Sequence, residues 1–164
     1  MTALTHAPTL RGDALLLTHG RPGTERLVAA ALLLDGVVSG ALDVSAASAR
    51  FDRRYVVCGP QPTSDPLFTR VLADPPDTPR GCIHRISSWA SMAIAIDLVS
   101  AGHATPCRYG LSIDAHAEAE ARARLDSSPA LCAALYVFGL PVPCLPPVTS
   151  FLPPAAVAII AALR

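Results

Sequence analysis

The chain contains no lysine: all 13 of its basic residues are arginine, balanced by 13 acidic residues to a net charge of zero. No global field therefore draws it to nucleic acid or to an anionic membrane. The arginine bias reads as nucleotide composition in a GC-rich genome, with anion binding by guanidinium forks as the functional alternative. Aromatic residues make up only 5% and there is a single tryptophan, Trp89, so the core must be aliphatic, drawn from the 51% hydrophobic residues. No run reaches the roughly 18–20 apolar residues of a membrane span, and Met1 to Leu10, with Pro8 and several polar side chains, lacks the apolar run of a signal peptide. These absences predict a cytoplasmic protein. The five cysteines (Cys58, Cys82, Cys107, Cys132 and Cys144) form no CxxC pair. An odd number without paired spacing argues against a disulfide framework or a zinc ribbon and predicts small core thiols in a reducing compartment.

Catalytic and cofactor signatures are also missing. GxGxxG, the Walker pattern, GxSxG and SxxK do not occur. His19-Gly20-Arg21-Pro22-Gly23 has neither the lysine nor the preceding strand that a phosphate loop needs. Cys82 and His84 are two residues apart on a predicted helix and point about 200° apart, so they cannot share a metal ion. His19, His103 and His116 are isolated near turns. Asp35 and Asp97 each close an apolar helix and read as caps of the following turn rather than as an acid–base pair. The reading is non-enzymatic, with no catalytic residue, no metal and no cofactor.

What the chain does have is an apolar stretch from Gly23 to Val38. Leu27 to Leu34 carries no polar side chain, and Leu27, Ala30, Ala31 and Leu34 fall at helical spacing. Apolar on all faces and only 10–12 residues long, it predicts a core helix, N-capped by Gly23 or Thr24 and ended by Asp35-Gly36. A strand over Val37 to Val44 and a partner over Arg54 to Cys58 follow. A helix is expected before this unit over Thr9 to Thr18, and after it from Thr63 or Ser64 to Leu72. Asp74 to Pro79 reads as a rigid linker. Arg80 to Ile86 predicts a short helix, and Ser87 or Ser88 starts another that ends at Gly102. A second ribbon spans Thr105 to Ile113. Ala115 to Leu125 is an Ala/Glu/Arg helix with Glu118–Arg122 and Glu120–Arg124 pairs at i, i+4 on a solvated face. Ala130 to Phe138 is a further helix. Leu140 to Leu152, with four prolines, is extended, and Ala155 to Leu163 closes the chain as an apolar helix.

Helix, turn, apolar helix, ribbon is the order of a winged helix, and AALLLDGVV and AIDLVSAGHA look equivalent. The expected fold is mostly α with one or two short β-hairpins: two winged-helix-like lobes packed into one compact domain. Residues 1–8 would be a flexible arm and 9–164 a single helical domain, with lobe one about 9–60, lobe two about 61–113 and C-terminal helices over 114–164. DNA binding is disfavoured, because the helix in the recognition position offers Leu, Val and Ala where base edges need Arg, Lys, Asn or Gln. The wing tip carries Arg50, Arg53 and Arg54 beside Asp52, a modest anion patch.

The ordered set of motifs resembles the Golgi phosphoprotein 3 family, in a divergent and shortened form. The residues that carry the resemblance are Leu34-Asp35-Gly36-Val37, Pro62-Thr63-Ser64-Asp65-Pro66-Leu67, Leu98-Val99-Ser100-Ala101-Gly102 and Ala134-Leu135-Tyr136-Val137-Phe138-Gly139-Leu140. The resemblance implies phosphoinositide-headgroup binding at a membrane surface and retention of client proteins there. The family's arginines on the long helix align here with Ser88 and Ser91, and the arginine of its first apolar helix with Glu25 or Arg26. The anion and headgroup candidates are then Arg21, Arg26, Arg80, Arg85 and Trp89. The expected function is a binding or adaptor domain for a protein partner, with weak peripheral association with an anionic inner-membrane surface; nucleic acid is not expected. The proline-rich tail and last helix are the parts expected to meet the partner. The alternatives are an accessory subunit of a peptide- or small-molecule-modifying enzyme, docking through the ribbon Val37–Cys58, and then a winged-helix DNA-binding protein.

Overall fold

The computed structural model describes residues 8–46, 53–142 and 151–164. Seven α-helices and two antiparallel two-stranded ribbons make up the described chain. α1 (Leu10–Thr18) starts where the Thr9 hydroxyl accepts the Gly12 N–H. α2 (Thr24–Ser39) follows a turn through Gly20 and Gly23, both at φ +80°. Gly23 is its N-cap. The Thr24 hydroxyl, buried, lies 2.6 Å from the Thr18 carbonyl and 2.7 Å from that of Arg21, pinning α2 to the end of α1.

α2 is the central post. Leu27 to Leu34 are all fully buried, packed by α1, α4, α6 and α7, so this helix cannot enter a DNA groove. The helix does not end at Asp35-Gly36, as the sequence predicts, but runs to Ser39 and stops at Gly40 (φ +78°). Val37 to Ser39 are therefore helical, and β1 is only Leu42–Val44. Gly36 serves a different purpose from a terminator: a Cβ there would come within 2.5 Å of Leu42 Cγ, so glycine lets β1 fold back against α2. Asp35 does not cap the following turn. Its two carboxylate oxygens accept the Leu10 and Arg11 N–H groups at 2.9 and 3.0 Å, capping the start of α1.

β2 (Val56–Cys58) pairs with β1, Leu42 opposite Cys58 and Val44 opposite Val56. α3 (Pro66–Ala73) begins two to three residues later than expected, because the Asp65 carboxylate, not Thr63 or Ser64, caps it through the Leu67 N–H. α4 (Pro79–Ser100) is capped by Thr78 and is one 22-residue helix, about 33 Å long, where two were expected. Ser87-Ser88 does not break it: the Ser87 hydroxyl donates to the His84 carbonyl, and the buried row Ile83, Ile86, Ala90, Ile94 continues straight through. Gly102 (φ +79°) ends it in a Schellman turn, with His103 N–H on Leu98 O and Gly102 N–H on Val99 O. Asp97 therefore stops nothing with its side chain, which is exposed.

β3 (Ala104–Cys107) and β4 (Gly110–Ile113) form the second ribbon. The order helix, longer helix, hairpin thus occurs twice, and α2 packs on α4. α5 (Ala115–Arg124) carries the expected Glu118–Arg122 pair, but Arg124 does not pair with Glu120. It turns inward to hold Asp13 of α1 with two hydrogen bonds, 3.0 and 2.7 Å, while Glu120 sits 3.3 Å from His116. A 3-10 turn leads to α6 (Pro129–Val137), and α7 (Pro154–Ala161) closes the chain. One face of α7 is core: Ala156, Ile159 and Ile160 are buried against α2, α6 and β1. The uniform thiol expectation also fails. Cys132 is disulfide-bonded, and of the free thiols among the described residues only Cys82 is buried, Cys58 and Cys107 being exposed. Among the described residues, no helix is long and apolar enough to cross a membrane.

Candidate functional site

The interior of the described residues is mainly aliphatic. Its carboxylates are all committed: Asp13 to Arg124, Asp35 to the start of α1, and Asp65 to its own helix and to Arg11 Nη2 at 2.6 Å. Arg11 also lies over the Phe68 ring, 5.3 Å from its centroid, so it bolts α1 to α3. Burial pushes the Asp35 carboxyl up, against the opposing pull of its two backbone N–H donors and of Arg11. No group of three or more His, Cys, Asp or Glu side chains is placed to hold a metal ion among these residues.

A cleft of about 240 Å³ opens between β2 and the α3–α4 connection, lined by Val56, Cys58, Val71, Asp74, Cys82 and Arg85 among others. Here the fold joins Cys82 to a second titratable group, the arrangement that would favour an enzyme. The chemistry does not follow. Burial raises the Cys82 thiol to about 11, so it stays protonated at neutral pH, and the thiolate is the nucleophile. Arg85 Nε sits 3.3 Å from Asp74 and Nη1 3.7 Å from Asp77, with a further 3.4 Å contact from Nη1 to the Pro75 carbonyl. Its charge is spent closing the α3–α4 connection. His84 is on the exposed side of α4, away from Cys82.

The exposed side of α4 is built differently. Arg80, His84, Ser88, Met92 and Ile96 recur every fourth residue along an inclined ridge that winds about 160° round the helix from first to last, and all five are exposed. Met92 is 68% and Ile96 61% accessible, on a helix whose opposite side is locked into the core by Ile83, Ile86, Ala90 and Ile94. Beside Met92, Trp89 is half-buried, with the Arg70 guanidinium from α3 stacked 4.2 Å above its ring. A rigid 22-residue helix thus presents a cationic end, a hydroxyl and then two bare apolar side chains.

Of the residues predicted from sequence, Arg80 lies on this ridge and Trp89 flanks it. Arg85 is one turn away but held by Asp74 and Asp77. Arg21, in the α1–α2 turn, and Arg26, on the first turns of α2, are exposed on other elements. Arg21 instead lines a small groove with Arg122 and Leu140. Arg53 and Arg54 are exposed ahead of β2, and Arg50 lies outside the described residues. Sequence reasoning missed Arg70, Met92 and Ile96. Reading Pro79 to Ser100 as one helix would have shown the ridge at once, since its members are spaced by four; the expected break at Ser87-Ser88 cut it in two.

No protein-family model matches the chain, and no curated protein matches it.

Proposed function

We propose that this protein is a non-enzymatic binding domain that holds a protein partner on the outward ridge of α4. The observation that carries the proposal is the exposure of Met92 and Ile96 side by side on a helix immobilised by its buried face. Fully burying one such side chain is worth roughly 1.5–3 kcal/mol, so covering both supplies a useful part of a micromolar association. The helix is already ordered, so little entropy is lost on docking. The Golgi phosphoprotein 3 resemblance supports client binding as a class of function. Its headgroup chemistry is not carried into the proposal, because Arg85 is neutralised by Asp74 and Asp77, and Arg21 and Arg26 sit on other elements.

The test places a photo-cross-linking residue at position 92, at 96, and at Val38, which is equally bare (67%) but lies at the end of α2. The protein captured from native extract is then purified and its affinity measured directly. The proposal expects adducts from 92 and 96 but not from 38, and a reconstituted pair that the double change M92E/I96E disrupts. Equal capture from all three positions, or a reconstituted pair indifferent to M92E/I96E, would mean that the ridge is not the site.

A further inference from the structure

We infer that residues 62–76, which carry α3, form a lid that swings off the cleft between β2 and α4 as a unit while the rest of the described chain stays folded. The inference is independent of the α4 ridge and comes from how this segment is attached. Its base is closed, since the Val56 N–H donates to the Asp77 carbonyl at 2.8 Å. The Gly59 and Gln61 N–H groups fix the entering arm on the Ala41 and Gly40 carbonyls, both at 2.9 Å. From 62 to 76, no backbone–backbone hydrogen bond joins the segment to another part of the described chain. Over 57–78 only Phe68 and Val71 are buried, with Leu67 and Leu72 half-buried beside them. Beneath them lies the 240 Å³ cleft rather than a close-packed floor, with Val71 and Leu72 on the lid side and Val56 and Cys82 opposite. Arginines supply the remaining attachment. Arg11 of α1 holds Asp65 and the Phe68 ring at one end, Arg70 stacks on Trp89 of α4, and Arg85 of α4 holds Asp74 and the Pro75 carbonyl at the other end. The Arg85–Asp74 pair is 30% and 56% exposed, and such pairs are weak. By contrast, α2 and α4 are locked by rows of fully buried aliphatic side chains. Opening the lid therefore costs far less than unfolding the core, which is the condition for a segment to open on its own. Cys82, 1% exposed with the lid closed, is what opening uncovers. The lid gates access to this thiol and to the apolar cleft around it.

The experiment follows alkylation of Cys82 by N-ethylmaleimide in the full chain without reductant, each modified cysteine being located by peptide mass mapping. The exposed Cys58 and Cys107 should react at once and Cys82 slowly, at a rate set by the open fraction of the lid. Phe68→Ala removes the main anchor and should speed Cys82 at least tenfold, and Arg70→Ala, which breaks the stack on Trp89, about threefold. Ile159→Ala loosens the core through α7, packed against α2, α6 and β1, and should leave the Cys82 rate within twofold although it lowers the urea midpoint. Hydrogen exchange of the unaltered chain tests the same point without a variant: the amides of 69–73 in α3 should exchange at least about a hundredfold faster than those of 86–98 in α4. Equal acceleration of Cys82 by I159A and F68A would make global unfolding the route and overturn the lid. So would α3 and α4 amides that exchange together, or a Cys82 that reacts as fast as Cys58.

Discussion

Removing Arg124 should cost more than removing Asp13, although the two residues lose the same pair of hydrogen bonds. Asp13 is 4% exposed, on the inner face of α1, whereas about a third of the Arg124 side chain (32%) reaches solvent from α5. Breaking a buried ion pair costs about 3–5 kcal/mol when the survivor is left charged and dry. Arg124→Ala leaves the Asp13 carboxylate in that state and should approach the full penalty. Asp13→Ala leaves a guanidinium that can swing toward water, so its cost should fall to about 2 kcal/mol. Replacing both, as D13L/R124M, should recover most of the loss, because a packed apolar pair needs no compensation. Urea unfolding followed by circular dichroism measures all three, and for a chain of 164 residues the Arg124→Ala penalty corresponds to a Tm drop of about 10 °C. An Arg124→Ala cost below 1 kcal/mol, or one smaller than that of Asp13→Ala, would show that the pair is not the buried clamp between α1 and α5 described above.

Gly36→Ala tests the close approach of β1: helix propensity alone predicts a gain of about 1 kcal/mol, but the collision with Leu42 should turn this into a loss of about 1–3 kcal/mol, relieved by adding L42A. A more stable G36A would refute the packing. Asp35 carries a pH signature. Its folded value is raised above 3.8, so the stability it contributes is complete below the unfolded value and is lost as pH rises through the folded one. Wild type should therefore gain on D35N as pH is lowered from neutral, and a flat or opposite difference in urea midpoints would contradict the burial argument. Deleting Pro153 to Arg164 removes the buried Ala156, Ile159 and Ile160 and should abolish cooperative unfolding. A truncated chain that keeps its helicity and a sharp transition would return α7 to the surface.

Where the sequence was legible, the signals were local. Thr9 and Gly102 mark the first start and the α4 stop because capping and left-handed backbone are decided within a few residues. The aliphatic run Leu27–Leu34 is buried on every face because it has no polar side to expose. Two breaks were misread for one reason: a glycine or a serine pair inside a helix costs only about 1 kcal/mol or less, and packing along Ile83, Ile86, Ala90 and Ile94, or against Leu42, outweighs it. Asp13 and Arg124 are 111 residues apart, so nothing in the i, i+4 pattern of α5 shows that Arg124 leaves Glu120 for α1. Cys132 is similar: one bridge in a set of five cysteines leaves no spacing rule to read. The candidate site was half visible. Arg80 and Trp89 stood out as charge and aromatic, but Met92 and Ile96 look like core residues until α4 is seen whole.

Binding on the α4 ridge is decided by the equilibrium affinity of the reconstituted partner for wild type, M92E/I96E and V38E. M92E/I96E should weaken binding by at least about a hundredfold, from the lost burial of two apolar side chains, while V38E binds as wild type does. Equal affinities for wild type and M92E/I96E, or an equal loss in V38E, would contradict it.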